Sequence, residues 1–193
     1  MKRICVYCGS NSGRRPEYTR AARRLGALLA EEGLGLVYGG ASVGVMGAIA
    51  NAALAGGAEV IGVIPRALAT REVAHSGLSD LHLVESMHER KAKMAQLSDG
   101  FVALPGGWGT IEEIFEALTW AQLGLHRKPC GLLNVAGYYD HLGAFLEHAM
   151  TEAFVKPEYR PMILLEDDPA TLLKRFRSYD APQVRKWISK GQT

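Results

Sequence analysis

The sequence predicts a doubly wound α/β fold of about seven mostly parallel strands with helices on both faces, and three observations predict it. Seven short apolar runs of strand length recur, at residues 4–8, 36–38, 60–64, 81–84, 101–104, 130–133 and 162–165. Most lack polar alternation, as strands buried on both faces do. Helix-length stretches with apolar residues at 3.6-residue spacing lie between them, so the order is βαβα. Finally, glycine is abundant, 22 of 193 residues, with nine between Gly33 and Gly62, and glycine-bearing turns follow three of the strands.

Each element can be justified in turn. The first strand, 4–8, runs into the turn Gly9-Ser10-Asn11-Ser12-Gly13, and a helix over 18–31 follows with Ala22, Leu25 and Leu29 on one face. Strand 36–38 leads to a second turn, residues 39–47, and strand 60–64 to the least regular stretch, 65–80. That link holds Pro65, Ser76, Gly77 and Ser79, offers a short helix only at 66–69, and reads as a loop over the site. Strand 81–84 precedes a helix that aligns Met87, Arg90, Met94 and Leu97, spaced by three, four and three. Strand 101–104 enters the third turn, Pro105-Gly106-Gly107-Trp108-Gly109-Thr110, and a helix to about 123 carries Ile111, Ile114, Phe115 and Leu118 inward. After strands 130–133 and 162–165, a helix starts at Pro169 and ends near 176. A polar tail over about 181–193 should fray. No repeat or linker divides the chain, so residues 1–193 read as a single Rossmann-like, nucleotide-binding domain with right-handed crossovers and its ligand at the carboxyl ends of the strands.

Composition narrows the function classes. Apolar residues make up 48% and charged residues 22%, as in ordinary globular proteins, which excludes fibrous and low-complexity readings. The 22 basic and 20 acidic residues leave a net charge of +2, so any anion site must be local. Arg14, Arg15, Arg20, Arg23 and Arg24 cluster early but read as a solvated helix face beside Glu17 and Glu31, so nucleic acid is not an expected partner. No signal peptide and no 18-residue apolar run is present, and the expectation is a cytoplasmic protein without a membrane partner. Cys5 and Cys8 have C-x-x-C spacing, but a redox pair should open a helix and these lie in a strand. No metal-ligand spacing is found, and neither metal nor cofactor is expected.

The three glycine turns would share one edge of the sheet. Glycine lets backbone N–H groups face an anion, and a helix N-terminus adds positive potential, so such turns suit phosphate, although structural turns use glycine too. Thr110 can cap its helix or bind an oxyanion. Glu112 and Glu113, in the first turn, either complement the helix dipole or serve a reacting centre. Arg90 on its apolar stripe is either a buried or snorkelling ion-pair partner or a fixed donor to a ligand. His88 reads as a capping or surface residue.

Rival chemistries lack their motifs. No G-x-G-x-x-G follows the first strand, no acidic residue closes the second, and no Walker A sequence, G-x-S-x-G elbow or H-E-x-x-H is present.

The block Pro105-Gly106-Gly107-Trp108-Gly109-Thr110-Ile111-Glu112-Glu113 matches P-G-G-x-G-T-x-x-E. It resembles the LOG family, the cytokinin-activating nucleoside 5′-monophosphate phosphoribohydrolases, whose members were often mislabelled lysine decarboxylases. The resemblance spans nearly the whole chain, from Cys8-Gly9-Ser10 through Ser86-Met87-His88-Glu89-Arg90-Lys91 to Trp120-Ala121-Gln122-Leu123-Gly124 and Gly131-Leu132-Leu133-Asn134. It departs at Ala41, where many members have a third glycine. The resemblance implies hydrolysis of the N-glycosidic bond of AMP or an N6-substituted AMP, with Arg90 and Glu113 as the catalytic pair. It implies substrate contacts at Ser10, Gly40, Gly44, Met87, Lys91, Gly106, Gly107, Gly109 and Thr110, with Glu72 near the base or ribose, and a homodimer whose second subunit helps enclose the base. No lysine is marked as a pyridoxal phosphate anchor. Glu116, one turn beyond Glu113, is either solvated or ion-paired. The competing class is a non-catalytic nucleotide-binding or carrier protein on the same fold, which does not require an acid–base pair.

Overall fold

The computed structural model describes residues 1–69 and 74–183. Glu72 and most of the expected C-terminal tail lie outside the described residues. Among the described residues seven strands form one sheet: β1 (Arg3–Tyr7), β2 (Gly35–Tyr38), β3 (Val60–Pro65), β4 (Asp80–Val84), β5 (Gly100–Ala103), β6 (Cys130–Leu133) and β7 (Ile163–Glu166). Every pairing is parallel and the spatial order is β4-β3-β2-β1-β5-β6-β7. All seven expected strands form, each within a residue or two of its sequence bounds.

The pleat explains why the apolar runs do not alternate. Along β1, Ile4 and Val6 enter one core, whereas Cys5 and Tyr7 enter the other. Val102 and Leu104 likewise oppose Phe101 and Ala103. Side chains on both faces must therefore be apolar, because helices cover both. One core is closed by α1 (Pro16–Glu31), α2 (Gly44–Ala55) and α7 (Pro169–Arg177). The other is closed by α4 (Met87–Leu97), α5 (Trp108–Gln122) and α6 (Asp140–Thr151), which supply Met94, Ile114 and Leu146. The short α3 (Arg66–Ala69) forms where the sequence offered its brief helix.

The same alternation settles the C-x-x-C spacing. Cys5 and Cys8, an odd number of positions apart, point into opposite cores, so the two sulfurs cannot pair. Burial also pushes the Cys5 thiol up to about 12 and that of Cys8 higher still, so neither is a ready thiolate. Among the described residues no helix is long and apolar enough to cross a membrane.

Strands run outward in both directions from β1, since β2 lies on one side and β5 on the other. In a parallel sheet the loops leaving two such strands diverge to opposite faces and open a crevice between them, at the carboxyl edge. The turns after β1 and β5 flank that crevice.

Candidate active site

A cleft of about 470 Å³ occupies the crevice, a volume typical of small-molecule sites. Its walls are the turn after β1, the P-G-G turn after β5, Gly39 at the end of β2, and Ile64 and Pro65 at the end of β3. Leu68 of α3, Met87 and Arg90 of α4, Glu112 and Glu113 of α5, Val45 and Met46 of α2, and Tyr18 and Tyr138 also line it.

The two turns are welded together. The Gly9 N–H donates to the Pro105 carbonyl at 3.2 Å, and the Tyr138 hydroxyl donates to the Gly106 carbonyl at 2.6 Å. A Cβ at Gly106 would overlap Thr110 Oγ1 and stand 2.8 Å from the Gly9 nitrogen, so packing alone demands glycine there. Gly107 and Gly109 differ, for a Cβ at either would meet nothing within 4 Å. Both are exposed and line the cleft, leaving their backbone open to a ligand.

The helix termini at this edge are not equivalent. At α2 the N–H groups of Val45 and Met46 both donate to the Gly9 carbonyl, at 3.1 and 3.2 Å. Protein therefore fills that end, and Gly44 serves packing: a Cβ there would overlap the Ser10 carbonyl. At α5 the first bond formed is from the Ile111 N–H to the Gly107 carbonyl at 3.2 Å. The N–H groups of Trp108, Gly109 and Thr110 have no acceptor among the described residues. Three unfilled donors and the positive end of a 15-residue helix make an anion site facing the cleft.

Beside it lies a buried ion pair. Arg90 and Glu113 are 7% and 5% exposed, and the Arg90 Nη1 donates to Glu113 Oε1. Arg90 Nε donates to the Val63 carbonyl of β3 at 3.0 Å, which fixes the plane of the guanidinium. Its Nη2 rests against Gly39, where a Cβ would stand only 2.5 Å away. Burial pushes the Glu113 carboxyl above its usual range, and the Arg90 charge and hydrogen bond pull it back only in part. A carboxylate poised this way, next to a fixed cation in a cleft, is suited to acid–base or charge-stabilising work.

The α4 helix is aimed by its own cap. Ser86 Oγ accepts from the Glu89 N–H at 3.1 Å, while Glu89 Oε2 accepts from the Glu85 N–H at 2.7 Å, a reciprocal arrangement close to a capping box. His88, exposed in the first turn, stays out of the site. The stripe expected from spacing divides: Arg90 and Met94 are buried and Met87 stands 42% exposed at the mouth. Arg90 is a buried ion-pair partner, as one of its two readings has it, and it also lines the cleft.

Of the expected substrate contacts, Ser10, Met87, Gly106, Gly107, Gly109 and Thr110 line the cleft together with Arg90 and Glu113. Three residues do not. Gly40 turns with φ +80 and its carbonyl accepts from the His75 N–H at 3.0 Å, tethering the loop after β3. Gly44 supports the Ser10 backbone from behind. Lys91 is turned aside onto two carboxylates of α5, Glu112 and Glu116. Glu116 is thus ion-paired.

Gly39, Tyr138 and Tyr18 are site residues that sequence reasoning did not single out. Gly39 sat in the second turn without distinction, because its requirement comes from Arg90, 51 positions away. Tyr138 is delivered by a tight turn over Val135–Gly137, in which Ala136 adopts a left-handed φ of 53°. No local signal marks that geometry.

Gly39→Ala is expected to lower kcat by about 10- to 100-fold by displacing the Arg90 guanidinium. Steady-state kinetics beside a thermal melt checks this, and an unchanged kcat would show that the fork tolerates the methyl.

A family model described as "Possible lysine decarboxylase" matches residues 46–176. Among the described residues that line the cleft none is a lysine, so none of them could form an internal Schiff base. The chain is 49% identical to a cytokinin riboside 5′-monophosphate phosphoribohydrolase of Arabidopsis thaliana, over 98% of this chain and 87% of that protein. A second enzyme of that name from the same plant is 48% identical over 98% of this chain and 89% of its own length. One from Oryza sativa subsp. japonica is 48% identical over 93% and 74%. Among solved structures, the molybdenum cofactor carrier protein of Chlamydomonas reinhardtii superposes with a TM-score of 0.70 at 23% identity, covering 92% of this chain and 99% of that one. That likeness is one of fold.

Proposed function

We infer that this chain, which belongs to the LOG family of phosphoribohydrolases, hydrolyses the N-glycosidic bond of purine nucleoside 5′-monophosphates, releasing free base and ribose 5-phosphate. The observation that carries the reading is the juxtaposition, in one cleft, of the buried Arg90–Glu113 pair and the unfilled N–H groups opening α5. A carrier on the same fold needs the second feature but has no use for the first, and the identity to named hydrolases runs over nearly the full chain.

The roles of individual residues follow as part of the proposal. The 5′-phosphate sits on the N–H groups of Trp108, Gly109 and Thr110, where the exposed backbone of Gly107 and Gly109 leaves it room. Anchored there, the ribose places its anomeric carbon toward Glu113. As the bond from that carbon to the base nitrogen lengthens, its electron pair leaves with the purine and positive charge grows on the ribose. The Glu113 carboxylate stabilises that charge and takes a proton from the water that attacks the carbon; a proton ends on the departing base. Arg90 holds Glu113 in place and offers the N–H groups of Nη2 to the nucleotide. Glu72 keeps its proposed place near the base or ribose from the family resemblance alone. A homodimer in a cytoplasmic setting goes with this reading, and Trp108, 92% exposed at the rim of the cleft, is the side chain a second copy would cover.

Incubation of the purified protein with AMP and with N6-isopentenyl AMP, followed by chromatography of base and ribose 5-phosphate, tests the activity. Release of base is expected, and the ratio between the two substrates gives the preference at N6. A folded protein that binds AMP yet releases no base from either would restore the carrier.

A further inference from the structure

The charges on the facing helices α4 and α5 are unequal. Arg90 and Lys91 are consecutive and buried on α4, whereas α5 presents three carboxylates, Glu112, Glu113 and Glu116. Arg90 takes Glu113. Lys91, with 7% of its side chain exposed, gives one Nζ hydrogen to Glu112 and another to Glu116, the latter at 3.0 Å. These two carboxylates flank Glu113 in sequence, one before it and one a helical turn after. Glu112 is half exposed and lines the cleft, within the same wall as Arg90. Two of the three Nζ donors are thereby engaged on α5, and Lys91 is not among the described residues that line the cleft.

Resting on the hydrolase reading above, we propose that Lys91 is a positioning residue: it holds Glu112 and Glu116 on α5, keeps Glu112 from competing for Arg90, and thereby maintains Glu113 charged and paired with that guanidinium. The physical argument is one of charges only partly screened by solvent. A nearby carboxylate raises the cost of ionising another, and a cation held beside it removes part of that cost. Lys91 and Arg90 both favour ionised Glu113, and Glu112 opposes it. Burial disfavours the Lys91 ammonium, but its two carboxylate hydrogen bonds outweigh that and raise its pKa, so it stays charged. From β1, Cys5, Tyr7 and Cys8 also face Glu113; burial keeps all three protonated through neutral pH, so they contribute no titration of their own.

The test compares Lys91→Met, Lys91→Arg and Lys91→Met/Glu112→Gln by the pH profile of kcat/KM for nucleotide hydrolysis. Lys91→Met is expected to move the acid limb upward by about one pH unit, giving about a tenfold loss near the limb that recovers at alkaline pH. Lys91→Arg keeps the profile of the unaltered protein, and the double variant returns the limb toward it. Glu112→Gln alone, which leaves Lys91 in place, moves it down; this serves if Lys91→Met fails to fold. A raised KM with an unmoved limb would make Lys91 a substrate contact and overturn the proposal. An equal loss at every pH would make it merely structural. Carbon-13 NMR titration of Glu113 in the ligand-free protein, with and without Lys91→Met, reads the same shift without turnover. If the unaltered protein hydrolysed no nucleotide, the activity reading would fail, and the NMR titration would still decide the role of Lys91.

Discussion

Glu113→Gln lowers kcat for a nucleoside 5′-monophosphate by about 10²- to 10⁴-fold, the usual contribution of a positioned acid–base group, while the protein stays folded. The amide preserves shape and leaves an oxygen to accept from Arg90 Nη1, so the 5%-exposed site stays filled and hydrogen-bonded. What it removes is the charge that the ribose demands as the glycosidic bond opens. The substrate phosphate contacts lie on α5 backbone, so nucleotide affinity should change far less than turnover. The sign of the pH dependence follows from burial. Because the folded protein raises the Glu113 carboxyl above its usual value of 4.5, this group favours folding most when protonated and loses that contribution as pH rises through its folded value. The acid limb of kcat/KM therefore lies above 4.5, and the Gln variant loses both that limb and the corresponding slope in stability. Kinetics, AMP calorimetry and melts from pH 4 to 8 measure all three. Near-normal turnover would remove Glu113 from the mechanism.

Arg90→Met is expected to abolish detectable turnover and, unlike Glu113→Gln, to destabilise the fold markedly, by about 3–5 kcal/mol at neutral pH. That is the cost of leaving one member of a buried ion pair without its partner. Glu113 would then be buried beside Glu112 with its nearest counter-charge gone, and the Val63 carbonyl would lose its donor. The instability should be greatest where Glu113 is ionised and shrink toward acid pH, because protonation relieves the unpaired charge. Adding Glu113→Gln should recover much of the stability and none of the activity. This cycle separates the two duties of Arg90: a double variant as unstable as Arg90→Met would assign the stability loss to the Val63 contact or to packing instead. Any sizeable turnover by Arg90→Met would mean that Arg90 supports the fold and is not needed by the nucleotide.

Much of the fold was legible because its signals are local. Seven apolar runs became seven strands, and the third glycine turn sits at the start of α5 where its Thr110 and paired glutamates indicated a helix. The Arg90–Glu113 pair came from the family resemblance rather than from spacing, since 23 residues and a strand separate them. On their own, the residues indicate that Arg90 needs a partner and that Glu113 is either a dipole complement or a reacting group.

The second turn illustrates where local reading stops. Its glycines look as suited to phosphate as those of the third, but the Gly9 carbonyl takes the Val45 and Met46 N–H groups of α2, whereas the three N–H groups opening α5 have no acceptor among the described residues. Lys91 likewise looked like its neighbour Arg90. One residue further around α4, about 100° on the helix, it faces Glu112 and Glu116 instead of the cleft.

The sequence by itself determined the order of the elements, the parallel sheet, and the strand ends at which chemistry would gather, because apolar periodicity, glycine turns and caps act over a few neighbouring residues. Only the tertiary structure decided which helix terminus stays open, why Gly39 admits no side chain, and which carboxylate each cation takes. Those outcomes depend on burial and on distances of a few ångströms between segments 20 to 50 residues apart, which exist only once both faces of the sheet have closed.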